Sequence, residues 1–334
     1  MLNKLYKQPY VWLIVGMIVF PFIPYVRLHI SLMVELIIFI IFALSFNLCL
    51  SHAGMASFGH GAFFGLGSYG AAISYIRLFN RSGFLLPVLI GVLVSTVAAV
   101  LFGMLVRNKK GIQFALLTVV FTQVLFGIAW RWIEVTGGED GLINIKRHTY
   151  WGLDFSNPRI YYYLVFLIFV ICFFVIKGIT ESSYGKTLNA IRQNPVRTSY
   201  LGYKNGLIKV SVYAISAAFG GLAGALHTFF NQAAFSDVLH WSKSGDVVIA
   251  TVFGGGFVNF YGPILGSFIF LMFREVFSMI TAKWPLLYGS LFVVTILTLP
   301  DGILGIFLVD KATRKANRQK WLNRVVSAFN KSGR

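Results

Sequence analysis

Long apolar stretches separated by short polar ones run along most of this chain, and this pattern predicts membrane-spanning helices. A helix crosses the hydrocarbon core of a bilayer with about 20 largely apolar residues. The predicted spans are 10–26, 31–50, 54–76, 85–106, 112–133, 160–177, 208–232, 246–258, 260–282 and 286–308. The predicted fold class is therefore an all-α integral membrane protein with about ten transmembrane helices.

Two of these spans, 54–76 and 246–258, are irregular, because the first is rich in glycine and the second is too short to cross about 30 Å as a straight helix. We expect broken, short or re-entrant helices there. The two stretches lie in opposite halves of the chain, and five spans in each half would give the halves inverted topology. Broken helices of such repeats hold the solute pathway in many transporters. Alternatively, the glycines only allow helices to pack closely.

Composition and charge agree with a membrane protein. Hydrophobic residues make up 57% of the chain and charged residues only 12%. The net charge of +18 would suit nucleic-acid binding, but 19 of the 29 basic residues lie near 4–7, 107–110, 177–209 and 311–334. Basic residues gather on the cytoplasmic side of membrane proteins. We therefore predict cytoplasmic termini, a cytoplasmic loop at 178–207, a basic cytoplasmic tail at 309–334 and no nucleic-acid partner.

Enzyme motifs are not convincing in this sequence. The stretch GITESSYGKT at 178–187 is similar to a phosphate-binding loop, but Thr180 stands where that motif requires glycine. ATP hydrolysis by this chain is therefore not expected. His52 and His60 could share a helix face, but no carboxylate lies nearby to complete a metal site. Hydrogen bonding within the helix bundle is the expected role of both histidines.

The predicted cytoplasmic loop contains the signals of two short helices. In the second, Asn194 can cap the N-terminus, Pro195 suits the first turn, and Gly202 can end the helix in a left-handed conformation. A structured basic segment of this kind could lie on anionic lipid or dock a cytoplasmic partner. The residues alone leave both possibilities open.

Five motifs together resemble one family, the LivM-type permeases of branched-chain amino-acid ABC importers, over about 31–308. They are NLCLSHAGMASFGHGAFFGLGSYGAA at 47–72, TGGEDGL at 136–142, AISAAFGGLAGALH at 214–227, FGGGFVNFYGPILG at 253–266 and LPDGILGIF at 299–307. The resemblance implies a single transmembrane permease domain over 1–334 in a bacterial inner membrane. It implies translocation of branched-chain or related amino acids by alternating access.

The same resemblance implies partners and no cofactor bound to this chain. Two ABC ATPase subunits would use ATP, a second, LivH-type permease would complete the pathway, and an extracytoplasmic solute-binding protein would deliver the solute, all in a setting of membrane lipid. An ATPase-independent secondary transporter or channel is the main alternative, although carboxylates within the spans are few for a proton relay. A membrane enzyme is the other alternative.

There are two sets of candidate functional residues: the resemblance implies the first, and the glycine-rich segments with their exposed backbone predict the second. The coupling set, which would contact the ATPase, is Gly185, Arg192, Asn194 and Gly202. The pathway set, which would line or shape the solute path, is Gly54, Ser57, Gly59, Gly65, Gly67, Thr136, Gly137, Gly138, Gly254, Gly255 and Gly256.

Overall fold

The computed structural model describes residues 30–81, 83–147, 149–150, 153–256, 260–298 and 302–304. Apart from one short hairpin, the elements in these residues are helices. They are α1 (Ile30–Asn47), α2 (Gly61–Ile73), α3 (Leu85–Val106), α4 (Gly111–Arg131), α5 (Ile133–Thr136), β1 (Thr149–Tyr150), β2 (Leu153–Asp154), α6 (Pro158–Glu181), α7 (Ser183–Gln193), α8 (Pro195–Tyr200), α9 (Asn205–Asn231), α10 (Trp241–Gly254), α11 (Gly262–Ile280) and α12 (Trp284–Thr298). The prediction of a helical membrane protein is confirmed.

Six helices of the described chain are long and apolar enough to cross a membrane. They are Ile30–His52, Leu85–Val106, Gly111–Arg131, Pro158–Glu181, Asn205–Asn231 and Gly262–Ile280. Each overlaps a predicted span. The predicted span 10–26 and the tail 309–334 lie outside the described residues.

The predicted span 54–76 is not one continuous helix. Residues 53–60 form turns and irregular backbone, and Gly54 has a left-handed φ of 67°. Helix α2 begins only at Gly61, whose N–H donates to Ser244 Oγ at 2.8 Å, and it ends in a π-helical turn at Ser74–Leu78. The sequence predicted a broken helix here, and the structure shows that the break precedes α2.

The predicted span 246–258 also has different bounds. Helix α10 begins earlier, at Trp241, and ends at Gly254, where Gly255 turns the chain with a φ of 90°. The polar stretch WSKSG at 241–245 gave no apolar signal, so the pattern of hydrophobic residues placed the start too late. Residues 257–259 lie outside the described residues.

By their contacts, the described residues up to Val248 form one compact unit and those from Ile249 onward form another. In the first unit, α9 packs against α1, α2 and α3, and α6 packs against α1. Glycines bring these helices together, since a Cβ at Gly67 would overlap the Gly221 backbone and one at Gly224 would overlap the Phe64 carbonyl. Such contacts are typical of helix packing in membranes.

In the second unit, α11 packs against α12. A Cβ added at Gly266 would overlap the carbonyl oxygen of Ala250, so glycine is what lets the end of α10 approach α11. This unit therefore uses the same close helix packing as the first.

Candidate functional site

Helices α7 and α8 form a compact hairpin between α6 and α9. The side chain of Ser182 accepts from the Gly185 N–H at 3.4 Å and so caps α7. Asn194 Oδ1 accepts from the Arg197 N–H at 3.0 Å, which caps α8, and Gly202 has a φ of 87° just beyond its end. The predicted cap at Asn194 and the predicted stop at Gly202 are confirmed.

This hairpin is fixed to the helix bundle by apolar and polar contacts. Leu188 and Ile191 of α7 are buried, and the Tyr184 hydroxyl lies 2.6 Å from Ser211 Oγ on α9. Burial raises the pKa of Tyr184, and the hydrogen bond with Ser211 lowers it in part. The hairpin is therefore a structured element that can transmit a displacement to the bundle.

Arg192 joins the hairpin to the interrupted segment before α2. Its Nη1 donates to the Ser51 carbonyl oxygen, which belongs to the π-helical turn Leu48–His52 at the end of α1. The last carbonyls of a helix lack intrahelical donors and attract positive charge. A Cβ at Gly54 would lie 2.8 Å from Arg192 Cγ, so glycine leaves room for the arginine stem. One residue of the coupling set thus contacts one residue of the pathway set.

Three glycines of the pathway set are points of close approach between elements. A Cβ at Gly59 would overlap the Thr118 carbonyl of α4, and one at Gly65 would overlap Leu239. Thr122 Oγ1 also donates to the Gly59 carbonyl oxygen at 3.0 Å. Together with Gly67 against Gly221, these contacts fit the packing role that the sequence left open. Ser57 is buried, with its Oγ 3.5 Å from the Tyr213 hydroxyl.

The loop after α5 holds the next residues of the set in tight turns. Gly137 and Gly138 have φ values of 78° and 61°, and Thr136 Oγ1 donates to the Ala129 carbonyl at 2.6 Å. The loop is tied to the end of α9, because Leu142 and Ala234 exchange backbone hydrogen bonds of 2.9 and 2.8 Å. The loop therefore has a defined shape.

The last residues of the set, Gly254, Gly255 and Gly256, belong to the second compact unit. A Cβ at Gly254 would overlap the Gly262 carbonyl. The Gly256 N–H donates to the Thr251 carbonyl oxygen at 2.8 Å, which closes the turn after α10. Within their own unit, these glycines also permit a close helix contact.

A buried polar cluster among α1, α2 and α9 was not predicted as a unit. His60 Nε2 lies 3.1 Å from Ser45 Oγ and 3.4 Å from Ser216 Oγ. The predicted hydrogen bonding of His60 is confirmed. For His52 the prediction is wrong, since neither ring nitrogen has a partner within the described residues. The described part of the chain also contains no group of three His, Cys, Asp or Glu residues suited to a metal ion.

Helix α4 exposes polar groups on the side that faces away from the bundle. Gln123, close to the middle of this helix, is exposed. A Cβ added at Gly127 would meet nothing within 4 Å, and Gly127 lies in an open depression with Val124 and Ile128. In a lipid environment, polar side chains at this depth usually face protein or a watery cavity.

Comparison with known proteins gives one consistent family. A family model described as the branched-chain amino acid transport system permease component matches residues 28–299. The high-affinity branched-chain amino acid transport system permease proteins LivM of Salmonella typhimurium and Escherichia coli are each 27% identical over 290 residues, covering 80% of this chain and 68% of the relative. The probable branched-chain amino acid transport permease protein LivH of Methanocaldococcus jannaschii is 22% identical over 287 residues, covering 80% and 88%. No solved structure matches significantly.

Proposed function

Because this chain belongs to the branched-chain amino acid transport permease family, we propose that it is the transmembrane permease subunit of an ABC importer. It moves branched-chain or related amino acids across a bacterial inner membrane by alternating access. Two ATPase subunits hydrolyse ATP, a solute-binding protein delivers the solute, and this chain binds no cofactor. The family match and the names of the relatives support this proposal.

The proposed topology has about ten spans in two inverted five-helix halves of a single permease domain over 1–334. Both termini, the loop 178–207 and the tail 309–334 are cytoplasmic. The distribution of basic residues supports this orientation. The interrupted backbone at 53–60 and the turn at Gly255, one in each half of the chain, support the paired broken helices.

Cysteine labelling in intact cells tests this orientation. The native Cys49 and Cys172 are buried, so the background from these thiols is low. An impermeant thiol reagent added outside should label Glu139→Cys, in the loop after α5, and leave Lys186→Cys, on α7, unlabelled. Labelling of Lys186→Cys in sealed cells would refute a cytoplasmic hairpin.

The coupling role is assigned to the hairpin of α7 and α8, with Gly185, Arg192, Asn194 and Gly202 as its key positions. The observation that carries this assignment is the contact of Arg192 with Ser51 and Gly54. An ATPase that displaces the hairpin would move the end of α1 and the interrupted segment with it. π-Helical turns such as Leu48–His52 are frequent at functional sites, which supports the same assignment.

The pathway role is assigned to the glycine segments as elements that shape the solute path. Gly54, Ser57, Gly59, Gly65 and Gly67 set how closely the interrupted segment and α2 approach their neighbours. Thr136, Gly137 and Gly138 form the outer mouth of the solute path. Gly254, Gly255 and Gly256 shape the path in the C-terminal half of the chain. Close backbone contacts make these positions sensitive to small shifts, since packed interfaces switch between discrete arrangements.

We assign the contact with the second permease subunit to the outer face of α4. Exposed Gln123 and the open depression at Gly127 suit a protein neighbour or a watery path better than lipid. The inner side of the same helix touches Gly59 through Thr118. Helix α4 therefore connects the proposed subunit interface to the interrupted segment.

Reconstitution tests the proposed function directly. The chain is co-expressed with candidate ATPase subunits, a LivH-type permease and a solute-binding protein, and the purified complex is placed in liposomes. Leucine uptake should require ATP on the side of the liposome membrane where the ATPase subunits lie. It should stop when those subunits can no longer hydrolyse ATP. Uptake by this chain alone would favour the secondary-transporter alternative and overturn the proposal.

A further inference from the structure

Four basic residues converge where three membrane-spanning helices end. Arg107, Lys109 and Lys110 connect α3 to α4, and Lys209 lies in the first turns of α9. Arg107, Lys109 and Lys209 line one cleft, with Val106 and Tyr213 among its apolar walls. Lys110 is close enough to Lys209 to repel it electrostatically. We call these four residues the basic cleft.

Local backbone geometry holds this cleft in shape. The Lys109 N–H donates to the Val106 carbonyl oxygen at 2.9 Å, and Gly111 starts α4 with a left-handed φ of 53°. A Cβ at Gly206 would lie 3.7 Å from Arg107 Cδ, so part of the arginine stem lies along α9. The turn between α3 and α4 therefore places Arg107 and Lys109 at the same cleft as Lys209.

Within the part of the chain that the structure describes, none of the four cleft residues forms an ion pair. Lys209 is half-buried, which increases the cost of its charge because less water screens it. An anion bound in the cleft would offset this repulsion.

Each of the three helices also carries an exposed aliphatic side chain near the same helix end. Leu105 is 80% exposed, Ile112 is 78% exposed and Leu207 is 48% exposed. In chain order they lie two residues or fewer from a cleft residue. A surface that combines clustered cations with exposed aliphatic groups at the ends of membrane-spanning helices matches the chemistry of a phospholipid, whose phosphate and acyl chains adjoin.

We propose that the basic cleft is a binding site for the phosphate group of an anionic phospholipid, whose acyl chains lie along Leu105 and Ile112. The inference rests on these helices spanning a membrane and does not depend on the solute that is transported. A free phosphate ion shares the charge chemistry but would leave the aliphatic groups unused. An acidic surface of a partner protein is the other source of negative charge, and the experiment separates it.

The test measures lipid binding to the purified full chain in detergent by native mass spectrometry. Dioctanoyl phosphatidylglycerol should bind the native chain more tightly than dioctanoyl phosphatidylcholine. The double variant Lys110→Gln/Lys209→Gln should bind phosphatidylglycerol about thirtyfold more weakly, since each basic residue near an anionic lipid contributes a factor of about five. Lys146→Gln, an exposed lysine on another loop, removes one charge and should leave binding unchanged. Circular dichroism verifies that each variant is folded.

Three results would overturn the proposal. Equal binding of the two lipids would show that the negative charge of the lipid does not matter. Unchanged binding by the folded double variant would show that the lipid does not bind in the cleft. Equal competition by glycerol 3-phosphate and by phosphatidylglycerol would identify a site for free phosphate. If the double variant keeps its lipid preference but loses the ATPase subunits on co-purification, the cleft is a protein-docking surface instead. Loss of lipid binding with intact co-purification supports the lipid site.

Discussion

The spans Ile30–His52 and Gly111–Arg131 are both apolar and of similar length, yet they occupy opposite environments. Within the most apolar 18 residues of each, 89% of the first and 22% of the second are buried inside the protein. Most residues of the first are buried, and Ser45 finds partners there, whereas the ring nitrogens of His52 have none within the described residues. The second touches the bundle along Thr118 and Thr122 and exposes the polar Gln123.

This difference shows that hydropathy identifies a membrane-spanning helix but does not tell whether lipid or protein surrounds it. Lipid and a protein core are equally apolar, so both select the same residue types. The informative residues are the exceptions, namely a glycine where backbones meet and a polar side chain where lipid is expected. Substitutions at these two kinds of position test whether the two spans have different surroundings.

The largest effect is expected from Gly67→Leu in the packed core beside the first span. The new side chain would overlap the Gly221 backbone, and overpacking against a backbone that cannot yield should cost about 3 kcal/mol or more. We expect little folded protein in the membrane fraction by fluorescence size-exclusion chromatography. The matched control is Gly127→Leu on α4, where the space is open. Normal accumulation of Gly67→Leu would contradict the packed core.

Arg192→Ala should have the next largest effect, because it disconnects the coupling hairpin from the end of the buried span. A hydrogen bond to a charged group contributes about 1.5–3 kcal/mol, so ATP-driven leucine uptake should fall at least about tenfold at unchanged protein level. The ATPase subunits should still co-purify.

The control for this variant is Arg159→Ala, an exposed arginine at the start of α6. It changes charge and size equally but touches neither Ser51 nor Gly54. Native uptake by Arg192→Ala, or an equal loss in both variants, would count against a coupling contact.

Gln123→Leu tests whether the exposed span Gly111–Arg131 faces protein or lipid. If α4 faces the second permease, loss of an interhelical hydrogen bond should lower uptake or subunit co-purification about threefold to tenfold, with normal accumulation of this chain. Leu93→Gln on α3 makes the converse change at a residue that is 63% exposed and should reduce membrane insertion instead. Better accumulation and full uptake by Gln123→Leu would place this face in lipid.

The smallest effect is expected from Gly202→Val, at the end of the coupling hairpin. Space is open at this glycine, but its φ of 87° is unfavourable for an L-residue, so uptake should fall about twofold to fivefold. Gly178→Val is the control, because Gly178 also has open space and no left-handed φ. Identical uptake by the two valine variants would show that the shape of this stop does not matter for coupling.

The parts of the fold that depend on residues close together in the sequence could be predicted from the sequence. The span 85–106 has the predicted bounds, and the cap at Asn194 and the stop at Gly202 are where the chain chemistry requires them. Helix α10 began earlier than predicted because its first turn, from Trp241, is polar and is held by contacts with α2 such as Ser244 with Gly61.

The candidate site was less predictable because its contacts join distant parts of the chain. Arg192 and Ser51 are 141 residues apart, and Ser216 and His60 are 156 apart. No periodicity or spacing relates such pairs. The sequence named Arg192 through the family resemblance and Gly54 as part of a glycine-rich segment, and only the fold brought them together.

The burial of the first described span has a consequence for how the protein is made. Ser45 on α1 and its partner Ser216 on α9 are 171 residues apart, so α1 leaves the ribosome long before the helix that covers it. At roughly 5–20 residues per second, the delay is about 10–35 seconds. During that time α1 must wait in lipid or beside an insertion factor. Its largely apolar surface suits both environments, and the nascent chain can therefore bury α1 late.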